Sequence, residues 1–414
     1  MVKNFDNFFI VIIFDKIFIV MKNVVGNPAR GESFFPRKSE IKRIISRLKD
    51  GNNLNIAAPR RIGKTSILFY LLDNREGGYV YVYADTEAID NENDFFKKIL
   101  KEITKAEEIR QSRKLKNLFN AGHKFLGKIK GIKIAGQGID FVEDDKTIDY
   151  KEDLINLLEG IELEEDRQIV LMIDEFPQTI QNIVETSGNI KVARQFLQSN
   201  RAIRINPAIS NKVRFILTGS IGLNHTVAEI DSSAFVNDLN SIEVNSLSKE
   251  EATRLLEELL LSKKISIAPD IANYLLEKIE WLIPFHIQLA VQEIDLQVPG
   301  KENISKEDID KAFGAIAQAR NNNHFDHYYS RLKRRFKNEE FAFSTELLEK
   351  LAKNGNIGKA EIYDLAARHN LEEKWRFIIE VLVYDGYMNN TDDNQFFRFN
   401  SPIVRMWWQR YICK

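Results

Sequence analysis

The chain has 414 residues, 44% of them hydrophobic, enough to bury a sizeable core and, at roughly 100–200 residues per domain, to hold two to three domains. Its 59 Lys and Arg offset 60 Asp and Glu to a net charge of −1, which excludes a global pull toward nucleic acid or anionic membrane, so any such binding must be local. The single cysteine, Cys413, excludes an internal disulfide and a Cys-based metal site, and fits a reducing, cytoplasmic location.

Phe8 to Val20 is strongly apolar, but Asp15 and Lys16 interrupt it and it falls short of the ~20 apolar residues of a spanning helix. Asp6 before it and bulky Val20 and Met21 after it do not suit a signal peptide, so no membrane partner is expected. Residues 1–26 read as a hydrophobic leader: either translated sequence ahead of a start at Met21, the favoured reading, or a partner-binding strand.

Ile41, Ile44, Ile45 and Leu48 recur at helical spacing, and Leu54 to Ala58 is a short apolar run ending at Pro59. Ile67 to Leu72 continues as a helix and Tyr79 to Ala84 as a strand, which makes a βαβ unit and implies a parallel sheet. Lys101 to Lys133 is rich in Lys and Arg and is followed by the acidic stretch Glu143 to Asp153; the adjacency favours a solvated surface over a nucleic-acid or partner contact. Ile169–Ile173 and Val213–Leu217 are apolar strands ending in polar residues, where a doubly wound sheet presents its ligand edge. Ser248 to Lys263 opens with a serine cap and repeats leucine at helical spacing, and helical patterns run on to about Arg320. After the polar break Asn321–Asn323, helices are expected at Thr345–Leu351, Lys359–His369 and Glu372–Tyr384, then a hairpin over Tyr387–Phe399 turning at Asn389–Asn394. The expected architecture is α/β: a P-loop NTPase parallel sheet flanked by helices over 27–246, a helical lid over 247–320 and a winged helix over 321–414.

Ala58-Pro59-Arg60-Arg61-Ile62-Gly63-Lys64-Thr65, with Ser66 after it, follows a predicted strand and opens a predicted helix, and matches the phosphate-loop pattern with alanine for the first glycine. Backbone N–H groups and a helix N-terminus would converge on ATP phosphates, Lys64 would neutralise β and γ charge, and Thr65 would ligate Mg²⁺. About a hundred residues on, the strand Leu171-Met172-Ile173 delivers Asp174 and Glu175: Asp174 as Mg²⁺ ligand, Glu175 as general base, or else the pair as a helix cap. The third strand ends Leu217-Thr218-Gly219-Ser220, with Ser220 open between a structural turn and a γ-phosphate sensor.

These three strand endings resemble the AAA+/STAND ATPases, in particular a prokaryotic, archaeal-type group related to origin-recognition-type initiators, over Asn27 to the C-terminus. The resemblance implies that Phe35-Pro36-Arg37-Lys38-Ser39-Glu40 is similar to the family's adenine-side motif, with Arg37 its arginine, and that Pro284 belongs to a nucleotide-packing proline motif. It further implies interface arginines just before the sensor strand, at Arg201 or Arg204, with Arg194 a weaker candidate; a salt-bridged helix face is the equal alternative. Ser401 to Tyr411 resembles the closing segment of the same group, its tryptophans packing the winged helix. The implied function is an ATP-binding and ATP-hydrolysing switch that couples ATP or ADP to a protein partner or effector, or to homo-oligomerisation, in signalling or defence. The rival is a DNA-handling ATPase using Arg331, Lys333, Arg334 and Arg335; Glu372-Glu373 and Asp392-Asp393 weigh against DNA as partner. A non-hydrolysing scaffold is the third reading, suggested by Ala58 and opposed by Glu175.

Overall fold

The computed structural model describes residues 2–5, 8–13, 16–19, 21–110, 130–135, 138–141, 148–161, 163, 167–391 and 395–413. Most of the basic stretch, part of the acidic stretch after it, and Asp392 and Asp393 therefore lie outside the described residues. The chain divides into two compact units. One, the sheet unit, is Arg37–Ala58 with Lys64–Val244; the other, the helical unit, is Met1–Pro36, Pro59–Gly63 and Asn245–Lys414.

The sheet unit is built on five parallel strands: β1 Asn53–Ala57, β2 Val80–Asp85, β3 Ile169–Asp174, β4 Val213–Gly219 and β5 Leu239–Glu243. Their order in the sheet is β5-β1-β4-β3-β2. Every residue of β3 is buried, as expected of a parallel strand covered on both faces, and this is why Ile169 to Ile173 reads as an unbroken apolar run. The registers Ala57↔Gly219, Ile173↔Leu217 and Asp85↔Asp174 bring the carboxyl ends of β1, β4, β3 and β2 to one edge of the sheet. On one face Phe95 packs edge-on to Phe196 at 4.9 Å and to Phe176 at 5.8 Å, and all three rings are fully buried, each worth about 1.5–3 kcal/mol. The helix Lys64–Asn74 follows β1, and Phe176–Ser187 follows β3.

In the helical unit, Lys249–Ser262 starts at a capping box in which the Ser248 hydroxyl accepts from Glu251 N while the Glu251 carboxylate accepts from Ser248 N. Helices Pro269–Ile279, Pro284–Gln297 and Lys306–Ile316 follow. Beyond them lie Asp326–Arg335, Asn338–Asn354, Lys359–Arg368 and Trp375–Tyr384. Asn356–Gly358, Phe396–Phe399 and Met388–Asn390 form a three-stranded antiparallel sheet in that order, and Pro402–Tyr411 closes the chain with Trp407 and Trp408 buried. Two expected helices differ in extent. The Thr345–Leu351 helix runs from Asn338 to Asn354, because Phe343, Leu347, Leu348 and Leu351 continue one buried stripe. Glu372-Glu373 is a turn, the helix starting only at Trp375, whose N–H bonds back to Leu371 O. Val2–Phe5, Phe8–Ile13 and Lys16–Ile19 pair as a small antiparallel sheet, and no helix among the described residues is long and apolar enough to cross a membrane.

Candidate functional site

The site is assembled at the carboxyl edge of the parallel sheet, where successive strand ends deliver polar groups onto the open ends of the following helices. Lys64 and Thr65 form the first turn of the helix after β1, so their backbone N–H groups belong to a helix N-terminus and favour negative charge. Lys64 Nζ donates to Ala58 O at 2.7 Å, closing the loop across its mouth, and the lysine is buried. Between them Arg61 (φ 65°) and Gly63 (φ 105°) take left-handed backbone. Such an alternation turns successive N–H groups to one side and makes an anion-binding concavity. Ile62 is buried and Ser66 lies in the first helical turn, also buried.

Asp174, at the end of β3, is buried and is the hub of the edge. Its Oδ2 accepts from Thr65 Oγ1 at 2.7 Å and from Tyr83 OH at 3.2 Å. Its Oδ1 accepts from Thr218 Oγ1 and from Glu175 N, the latter at 3.1 Å. Its carbonyl accepts from Thr86 Oγ1 at 2.9 Å, and Thr86 is held in turn by Thr179 Oγ1 at 2.9 Å. Burial, and next the nearby Asp174 carboxylate, push the Tyr83 phenol far above its usual range, so Tyr83 stays a neutral donor.

Glu175 sits in left-handed backbone (φ 56°, ψ 32°), unusual for a residue with a Cβ, at the N-cap position of the Phe176–Ser187 helix. Its side chain makes no cap hydrogen bond; Glu175 Oε2 instead accepts from Ser220 N at 3.0 Å and from Ser220 Oγ at 2.9 Å. Gly219 permits this approach, because a Cβ there would stand 2.5 Å from Pro177 Cδ.

The structure thus brings Lys64, Thr65, Asp174, Glu175 and Ser220 together on one edge. The arginines go elsewhere. Arg204 is buried, with Nε 2.7 Å from Asp238 Oδ2, Nη2 2.9 Å from Asp238 Oδ1 and Nη2 2.7 Å from Phe235 O. Arg201 is half-buried, its Nη2 3.4 Å from Asn237 Oδ1, and Arg194 pairs with the exposed Asp231 at 2.7 Å. Arg37 is buried and donates to Glu40 Oε1 at 2.7 Å; burial raises the Glu40 carboxyl, but the Arg37 and Ser39 hydrogen bonds outweigh it and hold the group below its usual range. Pro284 opens the Pro284–Gln297 helix of the helical unit. Tyr83 is the group that motif reading passes over. Its signal is a polar-tipped residue, a feature Tyr81 shares, two positions before the end of the strand Val80–Asp85, and Thr218 likewise turns its hydroxyl to Asp174.

A parallel sheet of order 5-1-4-3-2, with a Gly-Lys-Thr helix N-terminus after the first strand and an acidic pair after the third, defines the P-loop NTPase fold. No protein-family model and no curated protein sequence matches the chain. Among solved structures it is similar to the Walker-type ATPase PABY2304 of Pyrococcus abyssi, with a TM-score of 0.60 at 16% identity over 94% of this chain and 99% of that one. It is also similar to the ORC2 protein of Aeropyrum pernix, solved as ADPNP–ADP complexes, with a TM-score of 0.52 at 13% identity over 90% and 93% of the two chains. At these identities the likeness is one of fold.

Proposed function

We propose that the chain is an ATP-hydrolysing molecular switch of the AAA+/STAND kind, coupling nucleotide state to a protein partner or to self-assembly. The observation that carries this is the convergence of Lys64, Thr65, Asp174, Glu175 and Ser220, with donors, a hydroxyl–carboxylate pair and a second carboxylate held by Ser220 in the relation phosphoryl transfer needs. Thr65 Oγ1 and Asp174 suit Mg²⁺, a hard cation that takes few protein oxygens and fills its remaining positions with phosphate and water. The backbone of residues 59–63 and Lys64 would bind the phosphates. Glu175 would take the proton of the attacking water once its carboxylate leaves Ser220 for that water, and the Ser220 hydroxyl would then be released toward the γ-phosphate. Arg37 and Pro284 are the proposed adenine-side residues, and Arg201, whose guanidinium is the less enclosed of the pair, the proposed arginine acting between subunits, while Arg204 secures Asp238. The protein would work in the cytoplasm.

The test is the particle mass of Glu175→Gln protein by size exclusion with light scattering, with ATP and Mg²⁺, with and without duplex DNA. Growth without DNA supports the switch. A mass that stays monomeric under all nucleotide conditions and changes only with DNA would replace it by the DNA-handling reading, for which the exposed Lys333 and Arg334 of the Asp326–Arg335 helix are the observation in favour. That reading demands affinity falling steeply with salt.

A further inference from the structure

Pro59–Gly63 lie in the phosphate loop by sequence, yet they pack as part of the helical unit. The Arg61 guanidinium carbon stands 4.1 Å from the centroid of the Phe285 ring, in the face-on arrangement that attracts a cation. Its Nε is buried and, among the described residues, has no hydrogen-bond partner; the ring and the attraction of Asp326 act on the guanidinium. His324 and Gly26 complete the seat. A Cβ on Gly26 would lie 3.0 Å from His324 Cε1 and 3.9 Å from Arg61 Nη1, and the Phe285 and His324 rings meet at 5.7 Å. Burial draws the guanidinium down to about 10 from its usual range, a measure of how far it is removed from water.

Pro59 is gripped as well. Gly386 has left-handed backbone (φ 82°), and a Cβ there would lie 3.2 Å from Pro59 Cβ and 2.8 Å from the Trp281 ring. Only a residue without a side chain lets the 386 turn run against the start of the loop.

These contacts bear on the loop's own backbone. Arg61 holds a left-handed conformation that a side-chain-bearing residue adopts at a cost and keeps only when its surroundings over-determine it. That conformation is the one that turns the loop N–H groups to one side.

We propose that Arg61 is a positioning residue for the phosphate loop: its guanidinium, seated on Phe285, lets the helical unit preorganise the loop backbone for a nucleoside polyphosphate. The proposal rests on the reading of Ala58–Thr65 as a phosphate loop. Because the seat acts on the loop and not on the γ-phosphate or the attacking water, it sets the affinity for ATP and ADP alike and leaves the chemical step alone. Phe285, in the same compact unit as Arg61, thereby tunes nucleotide affinity through the loop's backbone.

The experiment is a double-mutant cycle on the full chain with Arg61→Leu and Phe285→Leu, reading mant-ATP and mant-ADP dissociation constants by fluorescence and kcat at saturating ATP. Each single variant is expected to weaken both nucleotides about tenfold, or about 1.4 kcal/mol, with the kcat of Phe285→Leu within twofold of the parent and the double variant no worse than either single. Phe285→Leu keeps the Arg61 charge, so loss of a charge–phosphate attraction cannot account for its effect. Arg61→Lys, which keeps the charge without the flat group that stacks on the ring, is expected to move the same way and carries the test if Phe285→Leu does not fold, as judged by its melting curve. Unchanged affinity in Phe285→Leu, additive losses, or an equal loss in kcat would overturn the proposal. Lys64→Ala runs alongside: if it abolishes binding while the Arg61 and Phe285 variants change nothing, the seat is refuted and the phosphate loop stands; if it binds normally, the phosphate-loop reading itself falls.

Discussion

Gly219→Ala puts the packing that joins β4 to the acidic pair to a quantitative test. Gly219 has no left-handed backbone, so the substitution is judged by space alone. The added methyl would lie 2.5 Å from Pro177 Cδ and 2.8 Å from Cγ, where ordinary contact is 3.4–4 Å, so something must yield by about 0.9 Å. A proline ring is rigid. Its helix cannot retreat freely, because the adjoining Phe176 is fully buried against Phe95 and Phe196. Overpacking of this kind costs ~1–3 kcal/mol. Taking ~2 kcal/mol in a unit of about 200 residues, the melting temperature should fall by about 4–8 °C. The displaced strand end should also stretch the Ser220–Glu175 hydrogen bonds and lower turnover. Differential scanning calorimetry and steady-state ATP hydrolysis measure both effects. Gly314→Ala, with nothing within 4 Å of the new Cβ and a helical position to gain from alanine, is the control and should be neutral or stabilising. A Gly219→Ala protein that melts within 1 °C of the parent would refute the packing argument.

Other expectations follow from the same geometry. Lys64→Ala should abolish nucleotide binding by calorimetric titration, whereas Glu175→Gln should keep binding and lose at least ~100-fold in kcat; turnover retained by the latter would remove Glu175 from the base role. Arg204→Ala leaves the Asp238 carboxylate, only 14% exposed, without its buried partner and should cost about 2–4 kcal/mol in urea unfolding, while the double variant Arg204→Met with Asp238→Leu should recover most of that. Burial lowers the fully buried His286 imidazole from 6.5 to about 4, so as pH falls the unfolded chain takes up its proton first. The contribution is whole above pH 6.5 and is lost toward pH 4 by up to ~1.4 kcal/mol per pH unit. Denaturation across that window should therefore show a shallower pH slope in His286→Phe, and identical slopes would contradict the assignment.

The parallel sheet was legible because its strands must be apolar throughout, and Ile169–Ile173 and Val213–Leu217 carry that signature without help from neighbours. The Gly-Lys-Thr turn was legible because its chemistry is local: strand, loop and helix N-terminus follow one another along the chain. What stayed hidden depends on strand order. Nothing in the run Tyr79–Ala84 says that Tyr83 will reach a carboxylate 91 residues on, since that follows only once β2 lies beside β3 in the register Asp85↔Asp174. Likewise, Arg201 and Arg204 look equivalent on a helix, and only the return of the chain to Asp238 separates a buried guanidinium from a half-buried one. The turn at Glu372-Glu373 reads as helix because charged residues are common in a first turn, and the buried Leu371 that ends the preceding turn cannot be recognised without its contacts.

The allocation of Pro59–Gly63 bears on how this chain can be divided and recombined. A fragment ending at residue 244 would retain Lys64, Thr65, Asp174 and Glu175 but strip the loop of the side chains it packs with. Grafting a relative's C-terminal half onto the sheet unit would meet the same obstacle unless the five loop residues travelled with it. The natural seam of the molecule is therefore a pair of cuts flanking the loop together with those at 36 and 244, and exchange of halves between such proteins should succeed only when it respects all four.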